Sequence, residues 1–446
     1  MTEIADLRTQ FIAAATWHGP LEPAEAILKA HPDLANSDIH TAAILGDDAA
    51  VRRFLAADPA SVTAKSPPYG GDALNYLGLS KYLRLDPSRS DSFLRAAAAL
   101  LDAGADPNTG FWTEGQYPEF ETALYGAAGV AHHEGLTRLL IERGADPNDE
   151  EAVYHSPESD NLGAMKVLVE TGRVTMDNLS LMLIRKHDWH DYEGVKYLLE
   201  RGTDPNHQRK RGWFAIHHGI ARDNDLNIIA LLLDHGADPG LIEDDQSAIE
   251  MAAHRGRGDL LALFEQRGFS VELQGVDRLI AACARNNADL VRSIARNEPG
   301  LITSLLAQGG ARIAEFAATW NTDGVRHLLD LGVPVTALYE GDDYHGIARD
   351  SMALHVAAWR GVASTMKLLI ERGAPVNAPD GKGRTPLMLA VSATVSSYWT
   401  HRRTPEAVQA LLAAGASTDG VGYPSGDVEV DALLREHRGE SETRPY

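Results

Sequence analysis

The 446-residue sequence predicts an all-α protein built from stacked pairs of short helices. Three observations point there. Apolar residues fall at helical spacing in short runs, as in Leu354, Ala357 and Ala358 and then Met366, Leu368, Leu369 and Ile370. Glycines suited to stopping a helix recur at 104, 144, 172, 202, 236, 268, 300, 332, 373 and 415, with most intervals near 33 residues and three longer. Turn chemistry follows such a stop, as in Pro375, Asn377, Pro379, Asp380 and Gly381, and Thr385-Pro386 then opens a new helix.

In chain order, residues 5–36 carry two weak helices, and HTAAILGDDAAVRRFLAADPA from His40 forms a full pair with Pro59 beyond its end. The next unit begins at Asp72-Ala73-Leu74 and closes with LLDAGADPN at 100–108; YLGLSKYLRLDPSRSD is inserted between its helices. GADPN occurs at 104 and 144, GTDPN at 202 and GADPG at 236. The units at 151–172 and 179–202 are weaker, with His155-Ser156-Pro157 where small helix residues are expected. Residues 439–446, GESETRPY, form a frayed polar tail.

Helix, turn, helix, glycine stop and extended hairpin in about 33 residues resembles the ankyrin repeat. The resemblance runs from about residue 5 to 438 and counts eleven to twelve units, an ankyrin-like helical repeat solenoid over 1–438 with insertion-bearing regions at 66–121 and 333–405. The Thr-Pro-Leu-His motif that opens the first helix is intact nowhere: it is TPLM at 385, MALH at 352, FAIH at 214, SAIE at 247 and TALY at 122. Such departures reflect either drift with packing preserved or a site built into the scaffold. The resemblance implies a concave face lined by hairpins and first helices. It also implies a protein or peptide partner, with binding residues on hairpin tips and the solvent side of first helices.

Composition narrows the function. A formal net charge of −22 argues against nonspecific affinity for nucleic acid phosphate and favours a neutral or basic partner. No apolar run is long enough for a membrane helix, and the N-terminus lacks the basic start and apolar region of a secretory signal, so a cytoplasmic location is expected. The single Cys283, in LIAACAR, excludes an internal disulfide framework and occupies the place of a small core residue. Nucleophile elbow, HExxH, paired CxxC and dinucleotide fingerprints are absent, and GKGRT at 381 is hairpin sequence, so no cofactor is expected.

The candidate site residues lie in the insertions. Near the N-terminal third, the inter-helix insertion carries Tyr76, Lys81, Tyr82 and Arg84, and the hairpin insertion TGFWTEGQYPEFE carries Phe111, Trp112, Tyr117 and Phe120. Toward the C-terminus, YEGDDYHGIARDS carries Asp342, Asp343, Tyr344 and His345, and SATVSSYWTHRRT carries Tyr398, Trp399, His401 and Arg402. So many aromatics in surface loops point to a binding surface, or else to loops packed on their own repeats. Trp320 and Trp359 follow Ala-Ala pairs near positions that the resemblance places on the concave surface, and Trp213 precedes a first helix at a comparable position. Each either anchors a partner or covers a neighbouring helix.

Two further chemistries are open. His345, Asp343, His401 and Tyr398 are an acid, base and donor set for an enzyme or small polar ligand binder, if the two C-terminal insertions meet. His187 and His190, in HDWHDYEG, are a weak metal alternative in what reads as a lengthened turn. His217 and His355 occupy the motif's histidine slot, where the ring bonds neighbouring backbone.

Overall fold

The computed structural model describes residues 2–209, 214–397 and 403–438 and divides into two compact units, 1–237 and 238–446. Trp213, Tyr398, Trp399, His401, Arg402 and the tail at 439–446 lie outside the described residues.

Among the described residues the first unit contains seven helix pairs. Their first helices are Thr2–Ala15, Ile39–Ile44, Ala73–Gly78, Ala123–Tyr125, Glu150–His155, Met176–Asp188 and Ala215–Ala221. First helices pack on neighbouring first helices, and second helices on second helices, as with Asp48–Ala57, Ser90–Asp102, Glu134–Glu142 and Gly163–Glu170. A run of buried alanines, from Ala42 and Ala43 through Ala73 to Ala127 and Ala128, lets these short helices approach closely.

Among its described residues the second unit has five pairs, opening at Ala248–His254, Gly275–Ala284, Gly309–Ala318, Ala353–Trp359 and Pro386–Ser396, and then the helix Val428–Arg438. All-α architecture and paired short helices are as the sequence predicts; the strands among the described residues are two small hairpins, β1 (Gly110–Trp112) with β2 (Phe120–Thr122) and β3 (Ile242–Glu243) with β4 (Gln246–Ser247). No described helix is long and apolar enough to cross a membrane.

Nine of the ten glycine stops adopt the left-handed conformation, with φ between 64° and 102°. The tenth is a correction. Gly300 begins an additional helix, Gly300–Ala307, in the stretch between one helix pair and the next; the preceding helix ends at Asn297 with the Glu298 amide bonded to Ile294 O.

The two helices of a pair reverse through a second left-handed residue: Gly46, His132, His190, Asp223, Gly256, Asn286, Trp320 and Gly361. Asp47, Asp191, Asn287 and Asn321 follow directly and cap the second helix by accepting from an amide three residues on, at 2.9, 2.9, 3.1 and 2.7 Å. Thus Trp320 belongs to the inter-helix turn, 51% exposed, with a φ of 64° that an L side chain rarely adopts.

In the histidine slot His355 behaves as expected: it accepts from the Met352 amide and bonds Ala378 O at 2.9 Å. His40 makes the same link to Ala64 O at 2.7 Å, in a repeat whose motif is too eroded to mark it. Cys283 is buried, and burial pushes its thiol up to about 12, which makes it inert.

Two glycine substitutions separate these roles. Gly300→Ala is expected to leave stability unchanged or raise it by about 0.4–1 kcal/mol, because φ is ordinary and nothing lies within 4 Å of the added Cβ. At Gly310 a Cβ would sit 1.9 Å from Leu338 O, so Gly310→Ala is expected to cost about 1–3 kcal/mol. Urea unfolding of both variants checks the pair.

Candidate functional site

In the first unit the long hairpin is fastened at its base. Thr109 Oγ1 donates to Asp72 Oδ2, and Lys65 Nζ reaches Asp72 and Thr109 at 3.1 Å each. Asn75 Nδ2 donates to Glu121 O at 3.1 Å. Antiparallel register sets Phe111 opposite Glu121 and Trp112 opposite Phe120, and alternation along a strand sends these pairs to opposite faces.

Phe111 therefore turns inward, contrary to its expected place among the exposed anchors. It is buried, stacked on Tyr69 with centroids 5.5 Å apart, and edge-on to Trp17 at 6.1 Å. Trp112 and Phe120 pack together on the other face at 5.1 Å, and Trp112 is 64% exposed. Tyr117, at the tip, is 79% exposed. Sequence composition marked the aromatics, but only the register separates fastener from exposed face.

Beside Phe111 the inward face carries a carboxylate with no signal in the sequence. Glu121 is 3% exposed and its Oε2 has no hydrogen-bond partner. Burial, with repulsion from Glu151 and Glu119, pushes its carboxyl up to about 7; burial also raises Asp149 to about 6. His155 lies between Glu151 at 3.4 Å and Glu158 at 3.0 Å. Burial pulls that imidazole down, but the two carboxylates outweigh it and lift the ring to about 9.

In the second unit, residues 339–351 fold back on themselves. The Tyr339 amide donates to Ser351 O at 2.8 Å, and Asp342 and Ile347 exchange backbone bonds of 2.9 Å. His345 is buried, and its Nδ1 meets Asp342 Oδ2 at 2.6 Å. Burial raises the Asp342 carboxyl, but the His345 hydrogen bond and charge prevail and hold it at about 2. Asp343 is exposed; Asp342 is the carboxylate that faces His345. Tyr344 is also exposed, edge-on to His345 at 5.0 Å.

Trp359 Nε1 donates to His345 O at 2.6 Å, and the ring packs on Ala314, Ala318, Ile347 and Val356. Tyr339, Asp342, Glu315, Arg255 and Arg360 line a cavity of about 10 Å³ there, room for about one water. The described part of this insertion is thus closed down on its own repeat.

The histidines at 187 and 190 are not neighbours in a loop. His187 belongs to the helix Met176–Asp188, fully buried, with Nδ1 on Leu183 O at 2.7 Å; burial and His218 pull it down to about 3. His190 occupies the left-handed turn. No group of three or more His, Cys, Asp or Glu among the described residues can hold a metal ion.

Comparison with known proteins bears on two stretches of this framework. Residues 181–275 match the family model for ankyrin repeats in three copies, and residues 351–381 match that for a single ankyrin repeat. The chain contains ankyrin repeats. The two matched stretches include the glycine stops at 202, 236, 268 and 373. Serine/threonine-protein kinase 12 of Arabidopsis thaliana is 35% identical over 83 residues, 19% of this chain and 16% of the kinase. The chain therefore spans about a sixth of that relative. The crystal structure of the human ASB11 ankyrin repeat domain aligns with 53% of this chain and 98% of its own, at 19% identity and a TM-score of 0.24.

The Glu121 carboxyl makes stability depend on pH. Its folded value, about 7, lies above the ordinary 4.5, so the stability tied to its proton is complete below about 4.5 and lost as pH rises through 7. Glu121→Gln should therefore be more stable than the parent at pH 8, by about 1–3 kcal/mol, with the advantage vanishing at pH 4.5. Thermal unfolding at the two pH values checks the sign.

Proposed function

We propose that this ankyrin-repeat protein binds a segment of a partner protein through the outward face of the β1–β2 hairpin. The supporting observation is the exposure of Trp112, Phe120 and Tyr117 on a hairpin whose opposite face is held in the repeat by Phe111. Aromatic rings presented on a rigid support concentrate binding energy, because they bury a large area and lose little side-chain freedom.

Charge sets the kind of partner. Glu114 and Glu119 are exposed beside these rings, in a chain of net charge −22, which favours a neutral or basic segment. Tyr344, Trp320 and the residues around Trp359 would be secondary contacts at most: Trp359 is committed to His345 and a local core. The alternative of an enclosed small-ligand or catalytic site at His345 finds less support, since the described cavity beside it holds about one water.

A peptide-display selection against the purified full chain tests the proposal. Enriched sequences should carry lysine or arginine with apolar residues, and Trp112→Ala combined with Tyr117→Ala should weaken their binding at least about tenfold, the effect of losing about 1.4 kcal/mol. The same double variant should unfold within about 0.5 kcal/mol of the parent, because both side chains are exposed. Unchanged affinity in the folded double variant would overturn the proposal.

A further inference from the structure

The insertion between the helices Ala73–Gly78 and Ser90–Asp102 folds as the short helix Lys81–Leu85 and a following turn, Pro87–Arg89. It brings Lys81 and Arg89 to the ends of earlier first helices and Arg84 to the turn that follows the helix Thr2–Ala15. Lys81 Nζ donates to Ala14 O at 2.7 Å, Arg84 Nη2 to Gly19 O at 3.0 Å and Arg89 Nη2 to Leu45 O at 2.6 Å. Carbonyls left over at a helix end explain one donor from Lys81 and one from Arg89, and a turn carbonyl takes one from Arg84. They do not neutralise the charge.

Lys81 and Arg84 converge on one turn. Arg84 bonds Gly19 O, and Lys81 Nζ lies 3.8 Å from where a Cβ at Gly19 would stand. Among the described residues neither cation has a carboxylate within ion-pair distance, in a chain with 63 acidic side chains. Burial and the neighbouring Arg84 both pull the Lys81 ammonium below its ordinary range, the mark of an uncompensated pair. Arg84 Nε is buried without an acceptor.

The same turn offers more donors. His18 is exposed there, drawn down by burial and then by Arg84; Glu158, which acts on it in the opposite sense, is already engaged with His155 and Arg185. The His18 and Gly19 amides donate to no backbone carbonyl among the described residues. Trp17 and Gly19 are both left-handed, with φ of 68° and 93°, so the backbone between them is curled rather than extended. The Trp17 ring stands edge-on to Tyr125 at 6.0 Å and supplies an apolar wall.

We propose that the Trp17–Gly19 turn, with Lys81 and Arg84, is a binding site for a phosphate monoester. Lysine has three N–H donors and arginine five; the protein uses one of each and Arg84 Nε is buried, so the others are left to meet a dianion. A guanidinium fork beside a point-charge ammonium suits tetrahedral phosphate oxygens. The site is distinct from the outward hairpin face and does not depend on what that face binds.

Phosphoserine and inorganic phosphate, titrated into the ¹⁵N-labelled full chain at constant ionic strength, test the proposal. Saturable shifts are expected at the amides of Trp17–Gly19 and Lys81–Arg84, at least about tenfold weaker in Arg84→Gln. Tighter binding of phosphoserine than of inorganic phosphate would assign the group to an esterified side chain or metabolite; equal binding would assign it to the free ion and overturn the monoester. If Arg84→Gln does not fold, His18→Glu supplies the test, because it sets a carboxylate on an exposed position beside the cations and should abolish the shifts. Shifts reproduced by chloride, or retained in full by a folded His18→Glu, would overturn the site.

Discussion

The constraint on which the structure depends is the fate of the carbonyls at the C-terminal ends of the first helices. These helices are short, so orphan carbonyls are a large share of their polar groups, and each buried one must find a donor. The neighbouring turn provides it. Ser80 Oγ donates to Ile44 O at 2.6 Å, and Asn224 Nδ2 to His187 O at 2.9 Å. In the second unit Asn321 Nδ2 reaches both Gly256 O at 2.6 Å and Ala284 O at 2.7 Å. Each such bond ties one repeat to another, so capping and stacking are the same interaction here. A left-handed residue, Asp223 or Trp320, directly precedes Asn224 and Asn321 and places their side chains, so a non-glycine residue is found there at a conformation that favours glycine.

The insertions extend this arrangement instead of escaping it. Lys81, Arg84 and Arg89 cap carbonyls with cations where other repeats use amides and hydroxyls, and so bring positive charge to an acidic chain. The β1–β2 hairpin is anchored by Thr109, Asp72 and Asn75 and divides its aromatics between two faces. One face closes over Glu121 and Phe111; the other leaves Trp112 and Phe120 in solvent. Anchoring on one side is what makes exposed rings on the other useful for recognition, since rigid groups lose little entropy on binding.

Helix pairing was legible in the sequence because glycine stops and small apolar stripes are local signals. Gly300 misleads for a local reason as well: the residue type permits a stop, but an extra helix begins there. Phe111 and Trp112 are adjacent aromatics with opposite fates, decided by strand register, which composition does not encode. The choice of Asp342 over Asp343 for His345 follows from the turn that pairs Asp342 with Ile347. His187 reads as a loop residue beside Trp189 and His190, but its helix runs one turn further and buries it. Glu121, unremarked in sequence, becomes the most perturbed carboxyl of the hairpin because burial depends on what folds over it.

The most direct measurement is hydrogen exchange at the hairpin of the free full chain. The amides of Thr113 and Ala123 donate to Glu119 O at 2.9 Å and to Thr109 O at 3.0 Å. If inward packing holds the outward rings in place, both should exchange on the order of a hundredfold or more slower than an unstructured chain, and Phe111→Ala should remove most of that protection. Exchange at the unstructured rate in the parent, or protection untouched in Phe111→Ala, would contradict a hairpin fastened by its inner face.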